Sequence, residues 1–226
     1  MTRPTVGLVV LGRRGRTAIH SVVSALLDTA VVVAGALDGT SDDEAASLDR
    51  PDGDYPIHVP ITPELSINVP RNDIRPYAQR AVDTVAATGA DLIAVLCAAD
   101  IGPLTAEMPL IVPTALLPAF TASVLTGRVI DVVVPHPGQQ ERAANHWSVS
   151  GFAPRVSAVA PYRDDTLGRL RDVATAGSER GSQAIVLDCF GFGVSETCAV
   201  RAASKLPVIS ARAVTAHAVA SLATPV

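Results

Sequence analysis

Short apolar runs rich in Val and Ile alternate along this chain with longer, Ala-rich segments. The runs cover 6–11, 31–37, 92–97, 110–112, 129–134, 156–160, 184–189 and 207–210. Runs this short and this continuously apolar predict parallel strands buried on both faces. The segments between them predict helices over 17–29, 74–88, 116–126, 139–148, 165–180, 196–204 and 213–222. Strand–helix alternation of this kind is the pattern of an α/β fold with parallel sheets. Residues 108–127 carry no charge and match a membrane span in length, but Pro109, Pro113 and Pro118 interrupt them. Proline inside a helix removes a hydrogen bond and clashes with the preceding turn, so this stretch predicts a strand, a turn and then a helix. Residues 41–71 predict an irregular segment whose later part, YPIHVPITPELSINVP, suits a small antiparallel hairpin. Its prolines confine it to edge positions.

The pattern repeats. GADLIAVLCAAD (89–100) and GSQAIVLDCFGF (181–192) each open on Gly, run through a predicted strand and reach Cys eight positions later. A helical stretch is expected after each, followed by a Pro-containing strand, MPLIVPT (108–114) and KLPVISA (205–211). The repeat predicts two pseudo-symmetric lobes, each a mostly parallel sheet flanked by helices, with an active site between them. The expected boundaries are 1–113 plus about 213–226 for the first lobe and 114–212 for the second, the last helix packing back on the first lobe.

Composition narrows the function. Of 226 residues 48% are hydrophobic and 18% charged, enough for a sizeable core. The net charge of -4 and the absence of a basic run argue against a nucleic-acid partner. Near the N-terminus one short apolar run is followed by arginines, which is not the pattern of a signal peptide. Three irregularly spaced cysteines do not make a disulfide framework. The expectation is a cytoplasmic protein with reduced thiols and no membrane partner. His20, His58, His136, His146 and His217 have no partner at metal-ligand spacing, so no metal and no cofactor are expected. A homo-oligomer is compatible with the sequence, which does not fix the oligomeric state.

Ligands of open α/β sheets bind beyond the carboxyl ends of the strands, where Cys97 and Cys189 are predicted to lie. A following helix N-terminus at each would favour the thiolate. A thiol–thiolate pair on opposite sides of an acidified carbon can take a proton from one face and return one to the other. The competing reading of each is a small buried hydrophobe; Cys198, within a predicted helix, reads as a packed side chain. Asp188 precedes Cys189, and strand alternation turns it to the other face, toward the backbone or a neighbour. The turn LGRRGRTA (11–18) could hold a carboxylate or phosphate on its N–H groups, with Arg16 a better candidate than Arg13 or Arg14. It lacks the glycine–lysine pattern of nucleotide loops. Thr114 could donate to a substrate oxygen or cap the next helix. Tyr162 could reach the cleft or lie on the surface. His136 reads as a loop histidine or a cleft residue, His217 as a packing residue, Asp38 as a turn aspartate or a cleft residue, and Trp147 as an anchor of its lobe.

VVLGRRGRT, GALDGTSDDE, LIAVLCAAD, VVVPHPGQQERAANHW and IVLDCFGF resemble, in order and over nearly the whole chain, the motifs of the AroM family. That family is similar to the aspartate/glutamate racemase superfamily, which includes hydantoin racemases, maleate isomerases and arylmalonate decarboxylases. The resemblance implies a two-lobed α/β fold with its site between the lobes, and a catalytic role for Cys97 and Cys189. The candidate residues around a small carboxylate substrate are Gly12, Arg16, Ala98, Asp100, Thr114, Tyr162, Phe190 and Gly191. The racemases usually follow the first cysteine with Asn or Thr and the second with Thr; here Ala98 and Phe190 stand there. Of the AroM motif Gly-Gln-Ser-Pro-Arg-x-Asp, Gly12 and Arg16 are kept, while Gly15 replaces Pro and Ala18 replaces Asp. The expected activity is a cofactor-independent racemase or epimerase. The alternatives are decarboxylation or cis–trans isomerisation relying on Cys189, and a non-catalytic anion-binding protein. A thiol redox protein is disfavoured by the lack of a C-x-x-C motif.

Overall fold

A computed structural model describes residues 4–14, 29–62 and 65–223. The chain forms two compact lobes, Met1–Thr114 with Thr215–Val226, and Ala115–Val214. In lobe 1 the strands β1 (Thr5–Val10), β2 (Ala30–Gly35), β5 (Leu92–Val95) and β6 (Leu110–Ile111) form one parallel sheet in the order β2-β1-β5-β6. In lobe 2 the strands β7 (Val129–Val134), β8 (Ala153–Ala158), β9 (Ala184–Leu187) and β10 (Val208–Ser210) pair in parallel in the order β10-β9-β7-β8. Numbered within its own lobe, each sheet runs second, first, third, fourth, so the two share one topology. Both are α/β layers in which the order reverses between the first and third strands, β1 and β5 in one lobe, β7 and β9 in the other. Ligands bind at such a reversal, beyond the carboxyl ends of the strands.

The apolar runs become central strands because helices cover them. In α2 (Arg71–Ala86), the buried Ile74, Ala78, Ala81, Val82 and Val85 recur at helical spacing and form one stripe. That stripe joins Val9, Val95 and the hairpin residues Ile57, Val59, Ile67 and Val69 in the lobe 1 core. The hairpin, β3 (Pro56–Pro60) and β4 (Ser66–Pro70), is antiparallel and forms its own small sheet. Its prolines stand at the strand ends, where a missing donor is tolerated. In lobe 2 the core gathers Val133, Leu170, Ile185, Leu187 and Val200 from β7, α5 (Thr166–Glu179), β9 and α6 (Val194–Ser204), with Phe192 from the turn between β9 and α6. The helices α4 (Gln140–Val149) and α7 (Ala211–Ala223) complete the described elements near 139–148 and 213–222. The helix expected over 17–29 lies outside the described residues, apart from position 29.

Several boundaries differ from expectation. A short helix, α1 (Asp42–Ser47), stands in the segment expected to be irregular, because Ser41 caps it by accepting the Glu44 N–H at 3.1 Å. α3 (Pro113–Val124) begins three residues early, since proline suits the first helical position, and it tolerates Pro118 within it. β8 starts at Ala153 rather than 156 and includes Pro154, which an edge strand accommodates. No helix forms between β5 and β6. There Gly102 sits at φ +86°, its N–H bonds the Asp100 carboxylate, and Gln79 of α2 holds the Thr105 backbone from both sides. The helix expected to follow Cys97 is therefore absent, whereas α6 does follow Cys189.

Candidate active site

The last ladder bonds of the two third strands are equivalent. Val9 pairs with Val95 and its carbonyl accepts the Leu96 N–H at 2.8 Å; Val133 pairs with Leu187 and its carbonyl accepts the Asp188 N–H at 2.9 Å. The next residue in each lobe is the cysteine. Cys97 and Cys189 thus stand two residues past the strand ends, although the apolar runs suggested strands reaching as far as the cysteines. Both are half-buried and neither forms a disulfide.

In lobe 1 the Cys97 loop is pinned on three sides. The Thr114 hydroxyl donates to the carbonyls of Ala98 and Ala99, 3.0 Å from each. The Asp100 carboxylate accepts from Arg71 Nη2 at 3.1 Å, while Arg71 Nε donates to the Asp100 carbonyl at 2.8 Å. The Asp100 N–H donates to the Tyr55 hydroxyl at 3.2 Å. Thr114 and Asp100 therefore spend these groups on shaping the loop, and Ala98 is buried beneath it. Gly12, on the turn after the neighbouring strand β1, has a packing reason of its own. A Cβ there would lie 1.8 Å from the Pro60 carbonyl oxygen, so only glycine lets the hairpin close. Gly12→Ala is expected to lower stability by about 1–3 kcal/mol, the usual cost of overpacking, in thermal unfolding without any ligand.

Arg16 lies outside the described residues, as does His20. Arg13 pairs with Asp42 at 2.7 Å and donates to the Thr40 carbonyl at 2.8 Å. Asp38 is a turn aspartate: its carboxylate accepts the N–H groups of Gly35 at 2.8 Å and Arg14 at 3.0 Å.

In lobe 2 the Gly191 N–H donates to Cys189 Sγ at 3.2 Å. A Cβ on Gly191 would come within 2.8 Å of Pro161 and 3.3 Å of the sulfur, so the turn needs glycine. The Phe190 side chain is buried and its carbonyl accepts from Arg212 Nη2. Gly193 bonds through its N–H to the Glu196 carboxylate at 2.8 Å at the start of α6. Tyr162, beside Pro161, takes a left-handed φ of 60° and is 61% exposed.

Burial sets the protonation here. It pushes the Cys189 thiol up to about 12; the Gly191 N–H works against that shift, Asp188 adds to it and Arg212 opposes it. The expected lowering by a helix N-terminus does not prevail. Asp188 is raised to about 6, again by burial, with the Trp147 bond and the His146 charge opposing. Its carboxylate accepts from Trp147 Nε1 at 3.0 Å, and Trp147 is fully buried with Phe152 edge-on at 5.5 Å. β9 stops at Leu187, so strand alternation does not orient Asp188; its bond to the indole of α4 does.

Trp147 is the only tryptophan of the chain, so its fluorescence reports on this carboxylate. Emission is expected to titrate with a midpoint near 6, a step that Asp188→Asn removes. A midpoint near 3.8 would mean that burial does not govern the group. The folded value lies above the unfolded one, so the contribution to stability is complete below pH 3.8 and is lost as pH rises through about 6.

His136, two residues past the end of β7, accepts the Gly138 N–H through Nδ1 at 3.1 Å, capping a turn of 3-10 helix (Pro137–Gln139). His217 and Cys198, both expected to be packed, are exposed on α7 and α6, because each falls on the polar side of its helix. Arg212 is the residue that sequence reading missed. The signal was present: VISAR places an arginine two residues past the end of a strand, at the ligand-binding edge.

The AroM protein family model matches residues 6–223. This chain belongs to the AroM family. Its fold is shared with members of the aspartate/glutamate racemase superfamily. An arylmalonate decarboxylase structure superposes with a TM-score of 0.61 at 15% identity, covering 97% of this chain and 92% of that one. The aspartate racemase of Picrophilus torridus gives 0.60 at 12% identity, covering 97% and 94%. The glutamate racemase of Francisella tularensis subsp. tularensis gives 0.64 at 11% identity, covering 97% and 81%. No curated protein matches the AroM chain. Among its described residues no helix is long and apolar enough to cross a membrane.

Proposed function

We propose that this AroM chain is a cofactor-independent isomerase of the racemase or epimerase type, acting on a small carboxylate through Cys97 and Cys189. The observation that carries this reading is their equivalence. Each cysteine is the second residue past the third strand of a sheet with the same order, one in each lobe. In the proposed reaction one sulfur, as thiolate, takes the α-proton: the C–H bond breaks, S–H forms, and the electron pair stays on the carbon as an enolate-like charge. The other thiol returns a proton to the opposite face, and its sulfur is left as the thiolate for the reverse direction. Nothing is oxidised or reduced. This is general acid–base catalysis.

A second reading is favoured by one observation: at neutral pH Cys189 holds its proton, with a value pushed up to about 12. A group in that state is ready to give a proton. An arylmalonate-type decarboxylation, or a cis–trans isomerisation, would use mainly Cys189. In the decarboxylation a C–C bond breaks, CO2 leaves, and the pair left on the carbon takes the Cys189 proton.

The test is incubation in D2O with amino acids, hydantoins, arylmalonates and small 2-substituted acids, following α-deuteration, stereochemistry and CO2. Deuteration with inversion, lost in both Cys97→Ser and Cys189→Ser, supports the isomerase. Full activity in either single variant overturns the two-cysteine mechanism. CO2 release sensitive to Cys189 alone selects the decarboxylase. Binding without turnover across the panel would make the protein an anion-binding one.

A further inference from the structure

We propose that Arg212 is the built-in counter-charge of the Cys189 thiolate, a positioning residue that helps this sulfur give up its proton. The proposal deepens the reading above, in which Cys189 exchanges a proton with substrate, and is tested independently of it.

Arg212 is the second residue of α7 and is half-buried. Its guanidinium lies against the backbone that carries Cys189. Nη2 donates to the carbonyl of Phe190, the next residue, and Nη1 would stand 3.3 Å from a Cβ at Gly193. Nε is buried and has no hydrogen-bond partner, and among the described residues no carboxylate comes within ion-pair distance of Arg212. A buried guanidinium donor without an acceptor is costly, and an arginine stays charged at all working pH values. A Cβ at Gly193 would also stand 3.3 Å from Glu196 Oε2, so a carboxylate lies nearby, but among the described residues none pairs directly with this cation.

The charged groups around the loop are few. Glu196, from α6, is held by the Gly193 N–H. Asp188 is held by Trp147 from α4, with His146 beside it, and it disfavours a second negative charge at Cys189. The charge of Arg212 is the one that opposes Asp188. Ionising Cys189 supplies an anion beside the guanidinium, so the cation is better compensated after the proton leaves than before. Such preorganised charge is the usual means of favouring a state that forms only during reaction.

The test uses the full chain and needs no substrate. Iodoacetamide alkylation of Cys189 is followed by site-resolved mass spectrometry between pH 7 and 10 in wild type, Arg212→Gln and Arg212→Lys. Exposed Cys198 serves as internal control. Alkylation tracks the thiolate, so the Cys189 profile of Arg212→Gln is expected to move up by about one pH unit, a roughly tenfold slower reaction at fixed pH. Arg212→Lys is expected to recover most of that loss, with Cys198 unchanged throughout. A Cys189 rate in Arg212→Gln within twofold of wild type overturns the proposal. So does an equal fall in Gln and Lys variants, which would make Arg212 a brace whose charge is irrelevant. If alkylation shifts as expected while wild type deuterates no substrate, the counter-charge stands and the isomerase reading fails. The converse pattern separates them the other way.

Discussion

Replacing either Cys97 or Cys189 by serine is expected to abolish inversion at the α-carbon while leaving each variant with proton exchange at one enantiomer. In a two-base mechanism each sulfur serves one face of the carbon. With Cys189 removed, Cys97 can still take a proton from its own face and return a deuteron to the same face. The product is labelled but keeps its configuration. With Cys97 removed, the same holds for the other enantiomer. A hydroxyl is a far weaker acid than a thiol, so serine does not substitute for the lost group. Positioned acid–base groups contribute roughly 10²–10⁴-fold, and inversion should fall by about that factor in each variant. Chiral separation of the deuterated products measures it. If both variants label the same enantiomer, the sulfurs share one face and the mechanism is wrong. If label and inversion fall together in Cys189→Ser and neither changes in Cys97→Ser, proton delivery belongs to Cys189 alone.

Arg155→Ala combined with Arg180→Ala is expected to destabilise the protein by about 3–5 kcal/mol, the cost of stranding a buried carboxylate. Asp131 lies within β7, is fully buried, and sits under α5, where a Cβ on Gly177 would come 2.8 Å from its oxygen. Its carboxylate accepts from buried Ser182, from Arg180 at 3.0 Å, and has Arg155 at 4.0 Å. The two arginines are about half exposed, 40% for Arg155 and 48% for Arg180, so either alone contributes modestly. Removing both leaves the anion with one hydroxyl. For a chain of this size the loss corresponds to a fall of roughly 6–20 °C in Tm. Adding Asp131→Asn to the double variant should restore part of it, since a neutral residue of the same size avoids the stranded charge. A double variant within about 1 kcal/mol of wild type would show that water already reaches this carboxylate.

The parts of the fold that were legible in the sequence are those decided by local pattern. β5 and β9 read as continuous apolar runs because every residue of each strand is buried, and the hairpin prolines announced their own edge positions. Strand ends were less legible. Apolar character continues past Val95 into Leu96, yet the ladder has already closed its last bond there. The paired cysteines could be found because the repeat marks them twice. Asp188 and Arg212 could not be read in the same way, since their meaning depends on Trp147 and Phe190, partners 41 and 22 residues away. For Gly12 the glycine itself was visible, but the carbonyl that forces it belongs to Pro60.

The division of the chain between lobes has a consequence for biosynthesis. Lobe 2 is one uninterrupted segment, Ala115–Val214, set inside lobe 1, whose last part is Thr215–Val226. During translation the segment bearing Cys189 is complete before the one bearing Cys97, although Cys97 is made first. The nascent chain can therefore fold its second half as a unit while the first still waits for its closing helix on the ribosome. Truncation after Val214 would leave lobe 2 covalently whole and remove the Thr215–Val226 part of lobe 1, but it would also leave Arg212 without the rest of its helix α7.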